Sequence, residues 1–226
     1  MMRTHAIVIL LLLAGAARAG SQPAAFESGM QALMQGNYAE AYCQWRPLAD
    51  QGYAEAQYHV GWLYANGNGL AVDLSRALEF WTAAAEQGHA DAQFAVGLAY
   101  TTGDGVDRDL NRAVDWYLKA ARLGHQDARD ILLRLNGDRT VNLFEDHPEL
   151  AYESWFGWGA EVRGERINVR GGPGTSHKIV ASLDKGSEVR VVGRRGDWYM
   201  VVLPGDGGDG DRVAWIFGSL LSRTSG

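Results

Sequence analysis

The chain has 226 residues, 46% of them hydrophobic, with 8 tryptophans, one cysteine and a net charge of −6. That length allows one or two domains with real cores. A single thiol excludes an internal disulfide, so packing must supply the stability. Residues 20–158 hold 9 Lys and Arg against 19 Asp and Glu, a net of −10, whereas residues 159–226 hold 10 against 8, a net of +2. The break marks two domains, and the acidic part excludes nucleic-acid binding, which needs a concentrated positive field.

Residues 1–19 open with Arg3, continue as an apolar run from Ala6 to Ala17, and end in Ala17-Arg18-Ala19, a small-x-small cleavage pattern. This reads as a secretory signal peptide. The apolar run is shorter than the roughly 20 residues that span a bilayer. No cysteine follows it, so a lipid anchor is not expected, and the mature chain is expected to be periplasmic or secreted. Cys43 falls inside an expected helix and reads as a small buried apolar residue.

Residues 53–88 and 89–124 align without a gap, with 15 of 36 positions identical. In each copy Ala56, Val60, Leu63 and Tyr64, or their equivalents, recur at helical spacing. Asn66-Gly67-Asn68-Gly69 ends that helix, and Asp73 is a fitting N-cap for a second helix over about 74–87. Gly61 and Gly97 sit in mid-helix, where glycine costs about 1 kcal/mol relative to alanine. That cost is understandable if the second helix crosses there closely, with Ala77, Ala84 and Ala85 allowing the approach.

Residues 25–52 read as a degenerate leading unit, with Pro47 expected to kink its second helix. Residues 125–136 supply a capping helix, with Leu133 where the mid-helix glycines stood. The strings AEAQYHVGWLYANGNGLAVDLSRALEFWTAAAEQG and its copy resemble the Sel1-like repeat, a relative of the tetratricopeptide repeat. The resemblance implies an α-solenoid of antiparallel helix pairs over residues 24–136, acting as an interaction scaffold. Tyr58 and Trp62, with Phe94 and Leu98 one repeat on, are candidate partner-binding residues of its concave face. The alternative is that they pack on the neighbouring repeat.

Residues 137–158 read as a connector. Asp146-His147-Pro148 starts a short helix there, and Tyr152, Trp155 and Phe156 are expected on one face. From residue 159 the apolar period becomes two. Short strands are predicted around 160–163, 166–170, 178–183, 188–192, 198–203 and 212–216, separated by glycine turns, which suggests a small β-barrel. The loop GGPGT leads into a strand. A phosphate-binding glycine loop must lead into a helix N-terminus, so a nucleotide site is excluded.

The residues INVRGGPGTSHKIVASLDKGSEVRVVGRRGDWYMVVL and VAWIFGSLL resemble the bacterial SH3-like (SH3b) domain, here over 159–223. Gly171 and Ala214 depart from the usual pattern. The resemblance implies a five- to six-stranded binding barrel, often for peptidoglycan or its peptide stems. Asn168 and Arg170 beside the loop, and the aromatics Trp198, Tyr199 and Trp215, are candidate ligand residues. Core packing or simple solvation is the alternative for each. The run GDGGDGD at 205–211 lacks a calcium-loop spacing and reads as a long hairpin loop.

The six histidines show no metal-ligand spacing, and no nucleophile motif such as GxSxG or SxxK occurs. No cofactor and no catalysis are expected. The fold class is therefore an α-solenoid followed by a small SH3-like β-barrel. The expected function is an exported, non-catalytic scaffold that recruits a protein partner through the solenoid and engages cell-wall peptide or glycan through the barrel. A pure protein–protein adaptor, perhaps a secreted factor, is the alternative, and a cell-wall hydrolase is a third.

Overall fold

A computed structural model describes residues 23–137, 143–203 and 212–224. The segments carrying the predicted signal peptide and the GDGGDGD loop lie outside them. The chain divides into two compact units, one running to Ala92 and including Gly103–Asp107, the other comprising Gln93–Thr102 and everything from Arg108.

The first unit contains helices α1 (Ala24–Met34), α2 (Tyr38–Asp50), α3 (Ala54–Asn66) and α4 (Leu74–Glu86). The predicted caps are present. Asp73 accepts the amide of Arg76 at 3.0 Å, and Gly67 ends α3 with φ of 66°. Gly69 has φ of 72° and lies against the start of α2, so a Cβ there would come within 2.8 Å of the Ala39 amide nitrogen. Its glycine is therefore required both by conformation and by space.

The core of this unit is built around Trp45, Ala41, Ala56, Val60 and Leu63, all fully buried. Helix α2 runs through Pro47 to Asp50. Its buried stripe is Ala41, Trp45 and Ala49, at a spacing of four. Cys43 lies between the first two, on the other side of the helix, and is exposed. The expectation that it is buried is corrected by this phase: two residues from a buried position on a helix is close to the opposite face.

The two mid-helix glycines are explained by aromatic rings more than by alanines. A Cβ on Gly61 would lie 2.6 Å from Cδ1 of Trp81 and 3.0 Å from the carbonyl oxygen of Ala77. A Cβ on Gly97 would lie 2.7 Å from the Tyr117 ring. The first unit repeats the device unpredicted, with Gly29 lying under the Trp45 indole. The indole N–H of Trp45 donates to the Phe26 carbonyl at 3.1 Å, and that of Trp81 to the Tyr58 carbonyl at 3.2 Å. In the third copy Tyr117 replaces the indole, and its hydroxyl meets Thr101 Oγ1 at 3.0 Å.

Helix α5 (Ala90–Thr102) spans the division between the units. In the second unit α6 (Leu110–Arg122) and α7 (Gln126–Gly137) are followed by α8 (Leu143–Asp146) and a 3₁₀ turn over Pro148–Tyr152. Leu150, Ala151 and Phe156 of this connector are buried in one cluster with Tyr117, Leu118 and Leu132. Leu133 also packs on that cluster, so the leucine that replaces the mid-helix glycine serves as an apolar contact. Tyr152 does not share the face of Phe156; it is 56% exposed while Phe156 is fully buried. A 3₁₀ turn followed by extended chain breaks the helical phase on which that expectation rested.

Seven strands form one antiparallel sheet: β1 (Trp158–Val162), β2 (Ile167–Arg170), β3 (Ile179–Leu183), β4 (Glu188–Arg195), β5 (Trp198–Leu203), β6 (Arg212–Phe217) and β7 (Leu221–Arg223). Their order is β3-β2-β6-β5-β4-β1-β7. This exceeds the five to six strands expected, because Leu221–Arg223 add β7 against β1. The inward residues are Ala160, Val162, Val169, Val189, Val191, Val201, Leu203, Ala214, Ile216 and Leu221, which alternate with outward ones as the pleat requires.

Candidate functional site

The outward face of the sheet is covered over only part of its area. Val192 and Val202, with Met200 and Val213 beside them, pack on the cluster formed by the connector and α7. Arg190 fixes this contact. Its guanidinium donates to the backbone carbonyls of Glu153 and Phe156 at 2.7 Å each and of Ala151 at 3.1 Å. Arg122 adds an ion pair to Glu153 at 2.6 Å, and the Arg129 guanidinium lies 5.4 Å from the Trp155 ring centroid.

Further along the same face the side chains are half-buried or exposed. Trp198 and Phe217, directly opposite each other on β5 and β6, meet edge to face at 5.7 Å, and Phe217 is 39% exposed. Trp215, half-buried, stands between Met200 on β5 and Arg170 on β2. Asn168 is exposed and accepts the Ser182 hydroxyl of β3 at 3.0 Å. Strand alternation thus brings Asn168, Arg170, Trp198 and Trp215 to the outward face of the sheet. Tyr199 does not join them. It points inward at one end of the barrel, where its ring meets Trp158 at 5.9 Å.

Arg170 is engaged by its own loop. One guanidinium nitrogen donates to the carbonyls of Thr175 at 2.9 Å and His177 at 2.7 Å. The His177 ring lies over Gly172, where a Cβ would collide with it. The glycines of GGPGT therefore let the loop fold back on Arg170 and His177, which is a structural need for them.

In the repeats, Tyr58 stacks on His89 at 4.7 Å and Phe94 stacks on His125 at 4.4 Å. Each histidine also caps a helix: Nδ1 of His89 accepts the Ala92 amide at 3.2 Å, and Nδ1 of His125 accepts the Ala128 amide at 3.3 Å. An accepting Nδ1 leaves the proton on Nε2, which in His89 lies 3.1 Å from Glu55. Tyr58 and Phe94 are half-buried, each stacked on the histidine that caps the next helix. Trp62 is half-buried near Tyr38, at 6.4 Å between ring centroids, and Leu98 is 43% exposed.

Three features escaped sequence reasoning. Gly29 and Phe26 match Gly61 and Tyr58 at an offset of 32 rather than 36, because the loop joining α1 and α2 is four residues shorter. Allowing that gap would have found them. Phe217 and Arg190 carried no signal, because nothing local says which half of an outward face is covered.

Two family models match the two parts of this architecture. The Sel1 repeat model matches residues 54–89 and 90–125, and the bacterial SH3 domain model matches residues 165–222. The chain carries two Sel1 repeats and a bacterial SH3 domain. Among solved structures it is similar to a Sel1 repeat protein from Oxalobacter formigenes, with 32% identity and a TM-score of 0.48 over 49% of this chain and 46% of that one. It is also similar to a protective antigen of uropathogenic Escherichia coli with an SLR fold, with 32% identity and a TM-score of 0.48 over 51% of this chain and 26% of that one. A third is cysteine rich protein B of Helicobacter pylori, with 20% identity and a TM-score of 0.41 over 50% of this chain and 99% of that one. The chain spans less than half the length of the first two. No curated protein matches it. Sel1 repeats and bacterial SH3 domains are typically non-catalytic binding modules.

Proposed function

We propose that this protein is an exported, non-catalytic scaffold. Its Sel1 region recruits a protein partner, and its SH3 domain engages cell-wall peptide or glycan. One observation carries the second part: the connector packs on one side of the outward sheet face, and beyond it Trp198 and Trp215 are only half-buried and Phe217 is exposed. Flat aromatic faces beside a polar Asn168 suit the alternating apolar and amide surface of a cell-wall peptide or amino sugar. Export rests on the sequence of residues 1–19. Among the described residues no helix is long and apolar enough to cross a membrane, and no group of His, Cys, Asp or Glu could hold a metal ion. The reading requires no cofactor.

Co-sedimentation of the full chain with purified peptidoglycan tests it. The wild type is expected in the pellet, and Trp198→Ala with Phe217→Ala in the supernatant. Wild-type protein that stays in the supernatant at both low and physiological salt would refute the cell-wall part and leave a protein–protein adaptor. A clearing band in a gel containing cell wall would refute the non-catalytic part.

A further inference from the structure

The loop Asn66-Gly67-Asn68-Gly69 between α3 and α4 carries the same dipeptide twice, and a third copy, Asn136-Gly137, ends α7. An asparagine followed by glycine loses its side-chain amide without an enzyme when the backbone allows it. The glycine nitrogen attacks the asparagine Cγ, a five-membered succinimide forms, and ammonia leaves. Water then opens the ring at either carbonyl, giving aspartate or isoaspartate. Glycine favours the attack because no Cβ crowds its nitrogen. That nitrogen must first be released from any hydrogen bond and give up its proton, and the asparagine must rotate out of helical geometry.

The three sites differ in these respects. Asn66 is the last residue of α3, and its side-chain amide donates to the Trp62 carbonyl at 2.8 Å. The nitrogen that would attack it, that of Gly67, donates to the Leu63 carbonyl. Asn136 and Gly137 both lie within α7. Asn68 lies beyond its helix, and its own amide also donates to the Leu63 carbonyl, at 3.2 Å. Gly69 is then the first residue of the loop whose amide has no hydrogen-bond partner among the described residues. The Asn68 side chain makes no hydrogen bond among them either, and Gly69 is exposed.

We propose that Asn68 is a site of spontaneous deamidation, and that its isoaspartate product loosens the packing of the α3–α4 loop on the start of α2. Asn66 and Asn136 are protected by their helices. The chain itself shows that the aspartate product fits. Asp104 stands in the next repeat where Asn68 stands in this one, and Gly105 after it has φ of 74° against 72° for Gly69. Isoaspartate differs, because it carries the main chain through its Cβ and adds a methylene to it. The addition falls beside Gly69, where even a Cβ would come within 2.8 Å of the Ala39 nitrogen.

The full chain is aged at mildly alkaline pH, digested, and each asparagine is followed by tandem mass spectrometry, whose fragment ions separate position 66 from position 68. Asn68 is expected to convert first. Asn66 should be slower by about tenfold or more, the scale of one backbone hydrogen bond that must open before attack. In urea the helices are gone, and all three asparagines should convert at comparable rates. Aged chains that carry isoaspartate should melt below the wild type, while Asn68→Asp keeps the wild-type melting curve. Conversion of Asn66 or Asn136 as fast as Asn68 in the folded chain, an Asn68 that stays intact while the unfolded chain converts, or an isoaspartate form that melts with the wild type would overturn the proposal.

Discussion

Gly61→Ala is the sharpest test of how the repeats hold together. In an ordinary helix interior the change would stabilise by about 1 kcal/mol, because alanine restricts the unfolded chain and favours helix. Here the new methyl would sit 2.6 Å from Cδ1 of Trp81, 2.7 Å from its Nε1 and 3.0 Å from the Ala77 carbonyl oxygen. The indole is a rigid plane and the carbonyl belongs to a helix, so neither yields cheaply. Overpacking of this kind costs about 1–3 kcal/mol. Displacing the indole also stretches its 3.2 Å bond to the Tyr58 carbonyl, worth about 1 kcal/mol. The expected net loss is about 1–3 kcal/mol, since these costs exceed the propensity gain. Urea unfolding followed by far-ultraviolet circular dichroism measures it. In a Trp81→Leu background the ring is gone, and Gly61→Ala should become neutral or stabilising by up to about 1 kcal/mol. A Gly61→Ala protein as stable as wild type with Trp81 in place would refute the glycine–aromatic reading. Gly97→Ala against Tyr117 offers an independent copy of the experiment.

Further outcomes are expected elsewhere. Arg190→Leu removes three carbonyl contacts and should cost about 2–4 kcal/mol, opening the connector to proteolysis near residues 151–156; Arg190→Lys keeps the charge but not the fork, and should rescue little. Arg170→Ala should speed amide hydrogen exchange over residues 171–178 while leaving the melting curve nearly unchanged. Burial, opposed by Glu55, pushes His59 below its ordinary value of 6.5. The unfolded chain then takes up a proton near 6.5 that the folded chain resists, so this contribution is full above 6.5 and is lost as pH falls below it. The melting temperature should drop between about pH 7.5 and about pH 5.5, and His59→Phe, which keeps an aromatic ring against Trp45, should flatten that drop. An unchanged slope in the variant would assign the pH dependence to other groups.

The repeats were legible because their signals are local. Asp73 and Asp109 cap helices through bonds that span three residues, and Gly67 turns the chain at a position set by its own φ. The barrel strands were legible for the same reason, since a period of two assigns inward and outward residues strand by strand. Cys43 shows the weakness of that reasoning: knowing that it is helical does not fix its side of the helix until the Ala41–Trp45–Ala49 stripe is known to be the buried one. Tyr152 shows it again, because helical phase was extended into a 3₁₀ turn.

The candidate site divides along the same line. Sequence by itself determined that Asn168, Arg170, Trp198 and Trp215 occur on barrel strands, and that the glycine loop could not be a phosphate cradle because a strand follows it. Tertiary structure alone decided that the connector packs on Val192 and Val202 of the outward face, while Phe217 stays exposed beside Trp198. It also turned Arg170 onto its own loop and paired Tyr199 with Trp158 instead of Trp198. The physical reason is distance along the chain. Alternation and capping are written within a few residues, but Arg190 meets carbonyls 34 to 39 residues away and Trp158 meets an arginine on the last strand. Contacts of that range depend on how whole elements pack, and no short stretch of residues encodes them.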